Sequence, residues 1–194
     1  TYNVAIGDNA GTSVTTGIQN TLIGGLAGDA LTDSDYNTVV GYEALSSDTL
    51  GGRSTAIGYQ ALATQNFTSA TNVYNTAVGY SAGVAVTTGV NNTIIGGLAG
   101  DALTDADFNV ALGYAALSSD TLGSRSIAIG NRALVAQNFS SATNTYNVAI
   151  GDNTGAAVTT GDRNTLVGGQ TGDALNTGAA NVAVGYLALT SDTK

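Results

Sequence analysis

Chemistry-bearing side chains are scarce in this 194-residue sequence, and nearly all of them are acids. Asp and Glu number 14 against 5 Lys and Arg, while His and Cys are absent. Without those two residues there is no zinc site of the usual kind, no Ser–His or Cys–His nucleophile pair and no disulfide. Paired carboxylates for glycoside cleavage need a cleft between them, and no pair sits in an evident one; Glu43 is the only glutamate. We therefore expect neither an enzyme nor a cofactor. Calcium is the one metal these side chains suit: Asp29, Asp33 and Asp35, and again Asp101, Asp105 and Asp107, form small clusters of hard oxygen ligands. The competing reading is solvated turns that keep the protein soluble. A net charge of −9 repels phosphate backbones, which argues against a nucleic-acid partner. No apolar run approaches the roughly 18 residues that cross a bilayer, so no membrane insertion by this segment is expected.

These residues are set on a repeat, which fixes the architecture. NVAIG (3–7), NTLIG (20–24), NTVVG (37–41), STAIG (54–58) and NTAVG (75–79) are versions of one unit, and it recurs to NVAVG (181–185). The closing glycines, from Gly7 to Gly185, are spaced 17, 17, 17, 21, then 17, 17, 17, 21, then 17, 17. The sum 17 + 17 + 17 + 21 is a higher-order repeat of 72 residues, dividing the single repeat domain 1–194 into 1–72, 73–144 and an incomplete 145–194. Each unit is short, β-branched or small, and closed by Gly, as a strand is. Strands 17 residues apart cannot form tight hairpins, so they stack in parallel. The fold class is all-β: a parallel β-roll (β-solenoid) of eleven coils, rising about 4.8 Å per coil to a rod about 50 Å long.

Side chains alternate faces along a strand, yet both residues before each glycine are apolar. One face can point into the coil, whereas the other has no cover within a thin coil. We assign the second residue before Gly to a shared interface between copies. These residues are Ala5, Leu22, Val39, Ala56, Ala77, Ile94, Ala111, Ala128, Ala149, Leu166 and Ala183. Their small size suits close approach, and Asp at Ile94 or Ala111 would then disperse the oligomer. Asn opens nine of the eleven units and Ser the other two, suggesting either turn chemistry or an amide ladder up the rod.

The phase breaks only at QNFTSATN (65–72) and QNFSSATN (137–144). Loops on a rigid scaffold are where binding concentrates, so Asn66, Phe67, Thr68, Asn138, Phe139 and Ser140 are candidate ligand contacts. The alternative tucks each Phe over the edge of the roll. Arg53, Arg125 and Arg163 occupy a position held elsewhere by Tyr2, Tyr36, Tyr74, Phe108 or Tyr146, and Asp48 and Asp120 are the expected ion-pair partners of Arg53 and Arg125.

The pattern Asn/Ser-x-Ala-Ile-Gly-x-x-Ala resembles the head repeat of YadA-like trimeric autotransporter adhesins. GYEAL (41–45), GYQAL (58–62), GYAAL (113–117) and GYLAL (185–189) resemble the variant in phage tail-fibre and related surface-fibre proteins. The resemblance spans the whole chain, although the adhesin heads use shorter coils. It implies a left-handed roll and a homotrimer with a shared apolar centre. Two other likenesses fail. GGLAGDAL (24–31, 96–103) and GGQTGDAL (168–175) approach the calcium nonapeptide of β-rolls, but one Gly is displaced and the copies lie 72 residues apart instead of in tandem. IGDNAG (6–11) and IGDNTG (150–155) match one hexapeptide of the left-handed β-helix acyltransferases, which need three hexads per coil and a His.

The expected function is accordingly structural: part of a longer trimeric fibre, extracellular, on a virion appendage or a cell surface. Its partners are itself and a glycan or protein of a host-cell surface. A bacterial adhesin head is the alternative, and an ice- or calcium-binding solenoid a lower one. Ice binding needs a flat, regular Thr array, and the Thr-Thr pairs at 15–16, 87–88 and 159–160 are too sparse for it.

Overall fold

A computed structural model describes residues 2–193, and these contain strands and turns but no helix. Three-residue strands, from Val4–Ile6 to Val182–Val184, form one 11-stranded parallel sheet in chain order. Val4 lies opposite Thr21, Thr21 opposite Thr38, Thr38 opposite Thr55 and Thr55 opposite Thr76, so every coil returns in register with the last. Two short parallel ribbons sit where the chain between strands is longer. They pair Gly51–Gly52 with Thr71–Asn72, and Gly123–Ser124 with Thr143–Asn144. The fold is a parallel β-solenoid of about eleven turns.

Each strand ends on glycine because the chain there can accept nothing else. Gly24 has φ 133°, a region that L side chains rarely adopt, and a Cβ on it would strike the carbonyl of Gly41 in the coil above. Non-glycine residues are strained as well. In a single coil, Tyr36 (φ 61°), Glu43 (φ 53°) and Leu45 (φ 49°) all lie in the left-handed region. At roughly 1–2 kcal/mol for each such residue, a lone coil is unfavourable, and stacking must hold it.

The strand's middle residue points inward. Leu22, Val39, Ala56, Ala77, Ile94, Ala111, Ala128, Ala149, Leu166 and Ala183 are buried within one chain, and Ala5 shares their row in the exposed first coil. Their assignment to an interface between copies is therefore corrected, because no partner can reach a side chain enclosed by its own coil. Parity alone could not choose between two apolar rows. Small residues are needed inside because the coil is thin: buried Ala27, Ala44 or Ala99 comes three positions after the glycine of its coil. Asp at Ile94 or Ala111 would thus disrupt the roll itself.

Two corner designs fill the rest of the core. In one, the fourth residue after the closing glycine is Leu (Leu45, Leu62, Leu117, Leu134), and the seventh is a buried polar residue (Asp48, Gln65, Asp120, Gln137). In the other, the fourth residue is Gly, and the seventh supplies the aliphatic group (Leu31, Val86, Leu103, Val158, Leu175). The aliphatic side chain thus sits at the fourth position in one corner and at the seventh in the other. A Cβ on Gly100 would come within 2.8 Å of Leu103 Cδ1, so an aliphatic side chain at the seventh position excludes one at the fourth.

An asparagine row ties the coils together. Asn20 Oδ1 accepts from Asn37 N–H of the next coil (2.9 Å), and Asn20 Nδ2 donates across its own coil to Ser34 O (2.7 Å). Asn75, Asn92 and Asn109 repeat this arrangement. The amide ladder exists, but it runs chiefly from side chain to backbone. Ser54 interrupts it, and Gln65 fills the gap: its Nε2 donates to Asp48 Oδ2 (2.6 Å) and Ser54 Oγ (3.1 Å), and its Oε1 accepts from Asn75 Nδ2 (2.9 Å). Asp48 Oδ1 also accepts from the backbone N–H groups of Gly51 and Phe67, both at 3.0 Å. Asp48 therefore does not pair with Arg53. Gln137, Asp120 and Ser126 make the same cluster, so Asp120 does not pair with Arg125.

Leu103→Ala should destabilise the fold by about 2–5 kcal/mol, and Gly100→Leu by about 1–3 kcal/mol through overpacking. The double variant moves the aliphatic side chain from the seventh position to the fourth, where the other corner design carries it. Its loss in chemical denaturation should fall well short of the sum of the two.

Candidate interaction surfaces

The first and third residues of each strand face outward. The third-residue file runs Ile23, Val40, Ile57, Val78, Ile95, Leu112, Ile129, Ile150, Val167, and the first runs Thr21, Thr38, Thr55, Thr76, Thr93, Val110, Ile127, Val148, Thr165. Strand burial alternates accordingly, with only the middle residue enclosed across the interior strands. The result is a stripe, about two-thirds aliphatic and the rest Thr, along the whole sheet. Strand alternation marks two apolar rows in the sequence without showing which of them faces outward.

Aromatic side chains border the stripe on both sides. Just past the closing glycines, Tyr42 stacks on Tyr59 (centroids 5.9 Å apart) and Tyr59 on Tyr80 (5.3 Å), all three exposed. Before the strands, the Arg53 guanidinium lies 4.5 Å from the Tyr36 ring centroid and 6.0 Å from that of Tyr74. Such contacts contribute about 0.5–1 kcal/mol each when exposed. Arg53 Nε donates to Asn72 Oδ1 at 2.9 Å. Four coils on, Arg125 lies 4.6 Å from the Phe108 centroid, and its Nε donates to Asn144 Oδ1 at 3.1 Å. Beside Arg53 is a cavity of about 280 Å³ lined by Asp33, Asp35, Tyr36, Leu50 and the ribbon residues Gly52, Thr71 and Asn72. The sequence marked Arg53 and Tyr36 as equivalent positions. It did not reveal the cavity, because that depends on how the inserted ribbon folds back beside them.

The candidate loops divide. Phe67 and Phe139 are buried, which removes both as ligand contacts; each is tucked against the roll, with its backbone N–H held by Asp48 or Asp120. Asn66, Thr68, Asn138 and Ser140 are exposed. Asn66 and Asn138 accept from Thr49 (3.2 Å) and Thr121 (3.1 Å) of the preceding coil.

The six calcium candidates do not converge. Asp33 Oδ1 accepts from Thr16 Oγ1 (2.6 Å) and Asp35 Oδ1 from Ile18 N (2.8 Å), with Asp105 and Asp107 bonded likewise to Thr88 and Val90. Among the described residues, no three acids are placed to hold a metal ion. Asp29 and Asp101 stand apart, each with a buried Oδ1 that has no hydrogen-bond partner. Burial pushes the Asp29 carboxyl above its ordinary 3.8; backbone hydrogen bonds oppose the rise and the Glu43 charge adds to it. Burial likewise raises Asp101.

A carboxyl raised on folding favours the folded state below its unfolded pKa, near 3.8, and this contribution is lost as pH rises through the folded value. Asp29→Asn with Asp101→Asn should therefore raise Tm at pH 7, and the gain should shrink as pH falls towards 3.8. Thermal unfolding followed at several pH values between 3.5 and 7 checks this.

Compared with family models, with curated proteins and with solved structures, the chain matches none.

Proposed function

We propose that this chain is a structural segment of an extracellular, homotrimeric fibre that extends and displays, with no catalytic role. The supporting observation is the outward stripe. It carries an aliphatic side chain on every strand, in a file about 50 Å long at the strand spacing. Apolar surface of that extent is normally covered. A rigid surface repeating every 4.8 Å can be matched along its length only by one with the same rise, and a second copy of this chain has it by construction. The number three and a left-handed coil sense rest on the resemblance to YadA-like heads. So does the choice of a phage-type tail fibre, with a bacterial adhesin head as its alternative. The remaining surface, with its aromatic borders and the ribbon loops, would face a host-cell glycan or protein.

A second reading has one observation in its favour. Thr21, Thr38, Thr55, Thr76 and Thr93 form the regular outward Thr file that ice binding needs, a signal the Thr-Thr pairs did not carry. The file gives way to Val110, Ile127 and Val148, and the aliphatic file beside it favours a protein partner. Thermal hysteresis in dilute solution would support ice binding, and its absence would remove it.

Adjacent residues separate interface from core. Ile95→Asp should leave circular dichroism unchanged while light scattering shows the assembly reduced to single chains, whereas Ile94→Asp should unfold the roll. A monomeric wild-type chain, or an Ile95→Asp oligomer of unaltered mass, would overturn the proposal.

A further inference from the structure

We propose that the cavity beside Arg53 is a binding site for a neutral saccharide unit, and that a second such site lies four coils away at Arg125. This deepens the display reading by assigning a ligand class to a defined place on the roll.

Arg53 is charged yet unneutralised. The one ion pair among the described residues joins Arg163 to Asp162, so neither Asp33 nor Asp35 pairs with Arg53 although all three line the cavity. The guanidinium plane is set by the rings of Tyr36 and Tyr74, and its Nε is fixed by Asn72. The Nη groups remain as oriented donors. Asp33 and Asp35 each use one oxygen within the roll, to Thr16 and Ile18, and keep the other as an acceptor. Donors and acceptors held side by side in a small, partly apolar cavity match a sugar ring, whose vicinal hydroxyls both donate and accept. A charged ligand fits worse. Two carboxylates against one guanidinium leave the cavity net negative in a chain of net charge −9, which disfavours an anion.

The second occurrence shows which features are kept. Arg125 stacks on Phe108 and bonds Asn144, while Asp105 and Asp107 engage Thr88 and Val90 as their counterparts engage Thr16 and Ile18. One ring, the guanidinium, the amide and two carboxylates persist; the phenol hydroxyl and the second ring contact are not repeated, and Ser124 stands in place of Gly52. A stacking platform would be conserved in this way, whereas a phenol-dependent site would not. In the incomplete third group, Thr177, Ala179 and Ala180 stand where the two acids and the ring would be, so that group has no site. Two sites about 19 Å apart on one rigid rod suit a polymer that presents the same sugar repeatedly.

Titration calorimetry with maltohexaose, cellohexaose and mannohexaose, and with hexagalacturonate as the charged counterpart, tests this on the intact chain. At least one neutral hexaose should bind at two sites per chain. Arg53→Ala and Arg125→Ala should each abolish one site, and the double variant should weaken binding at least about ten-fold with an unchanged melting curve. Arg53→Lys with Arg125→Lys, which keeps the charge but not the stacked plane, should behave nearly as the alanine pair does. Preferential binding of hexagalacturonate, no binding of any neutral hexaose, or full binding by the double alanine variant would overturn the proposal. Each site lies within one chain, so the Ile95→Asp variant should still bind; loss of saccharide binding would leave the assembly reading untouched.

Discussion

Everything in this fold depends on coils lying in register directly above one another. The tightest expression is the glycine file, where each closing residue from Gly7 to Gly168 sits under the carbonyl of the next and a Cβ would collide. That contact fixes the rise. The asparagine row fixes the phase, since each amide reaches the backbone of its own coil and of the next in one geometry. A backbone with so many residues in the left-handed region is not stable one coil at a time. Stability is therefore a property of the stack, and a defect in one coil is felt by its neighbours.

Register also explains why the polar interior is tolerated. The coils that put Leu on the left-handed fourth position bury Asp or Gln at the seventh, where an aliphatic group would be expected in a wholly apolar core. These side chains are fully engaged. Gln65 and Asp48 bridge Ser54, Asn75 and the N–H groups that open the inserted ribbon, so the place where the asparagine row fails is also where extra chain is accommodated. A buried carboxylate with three donors and no cation is stable in such a network, because each hydrogen bond to a charged group contributes about 1.5–3 kcal/mol. The network then positions the ribbon, and the ribbon closes the cavity beside Arg53.

The repeat length, strand residues, parallel stacking and asparagine row were legible in the sequence because each is a periodic, local signal. The direction of the strand faces was not. Ala5, Leu22 and their row alternate with Ile6, Ile23 and theirs, and two apolar rows carry the same message about parity. A discriminating signal did exist. Gly28 with Leu31, and Leu45 with Asp48, show that the fourth and seventh positions exchange the aliphatic side chain, which locates the interior on their side. The Asp48–Arg53 pairing failed for another reason: proximity in sequence says little where each side chain's nearest neighbours lie a whole coil away. Arg53 accordingly meets Tyr36 and Tyr74 instead.

The proposed function rests on the outward surface. A solenoid coil has an inside too thin for a large core, so the apolar residues it cannot enclose form a stripe, and the stripe inherits the regularity of the strands. That regularity limits its partner more strictly than hydrophobicity does, because mismatch accumulates along the rod. Covering the stripe with further copies leaves the flanks of each roll as free surface. The flanks are also where register is relaxed: the ribbons, the stacked tyrosines, and Arg53 and Arg125 on their rings all lie there. On the proposed reading, recognition chemistry on such a rod is lateral and recurs with the higher-order repeat, as Arg53 and Arg125 do.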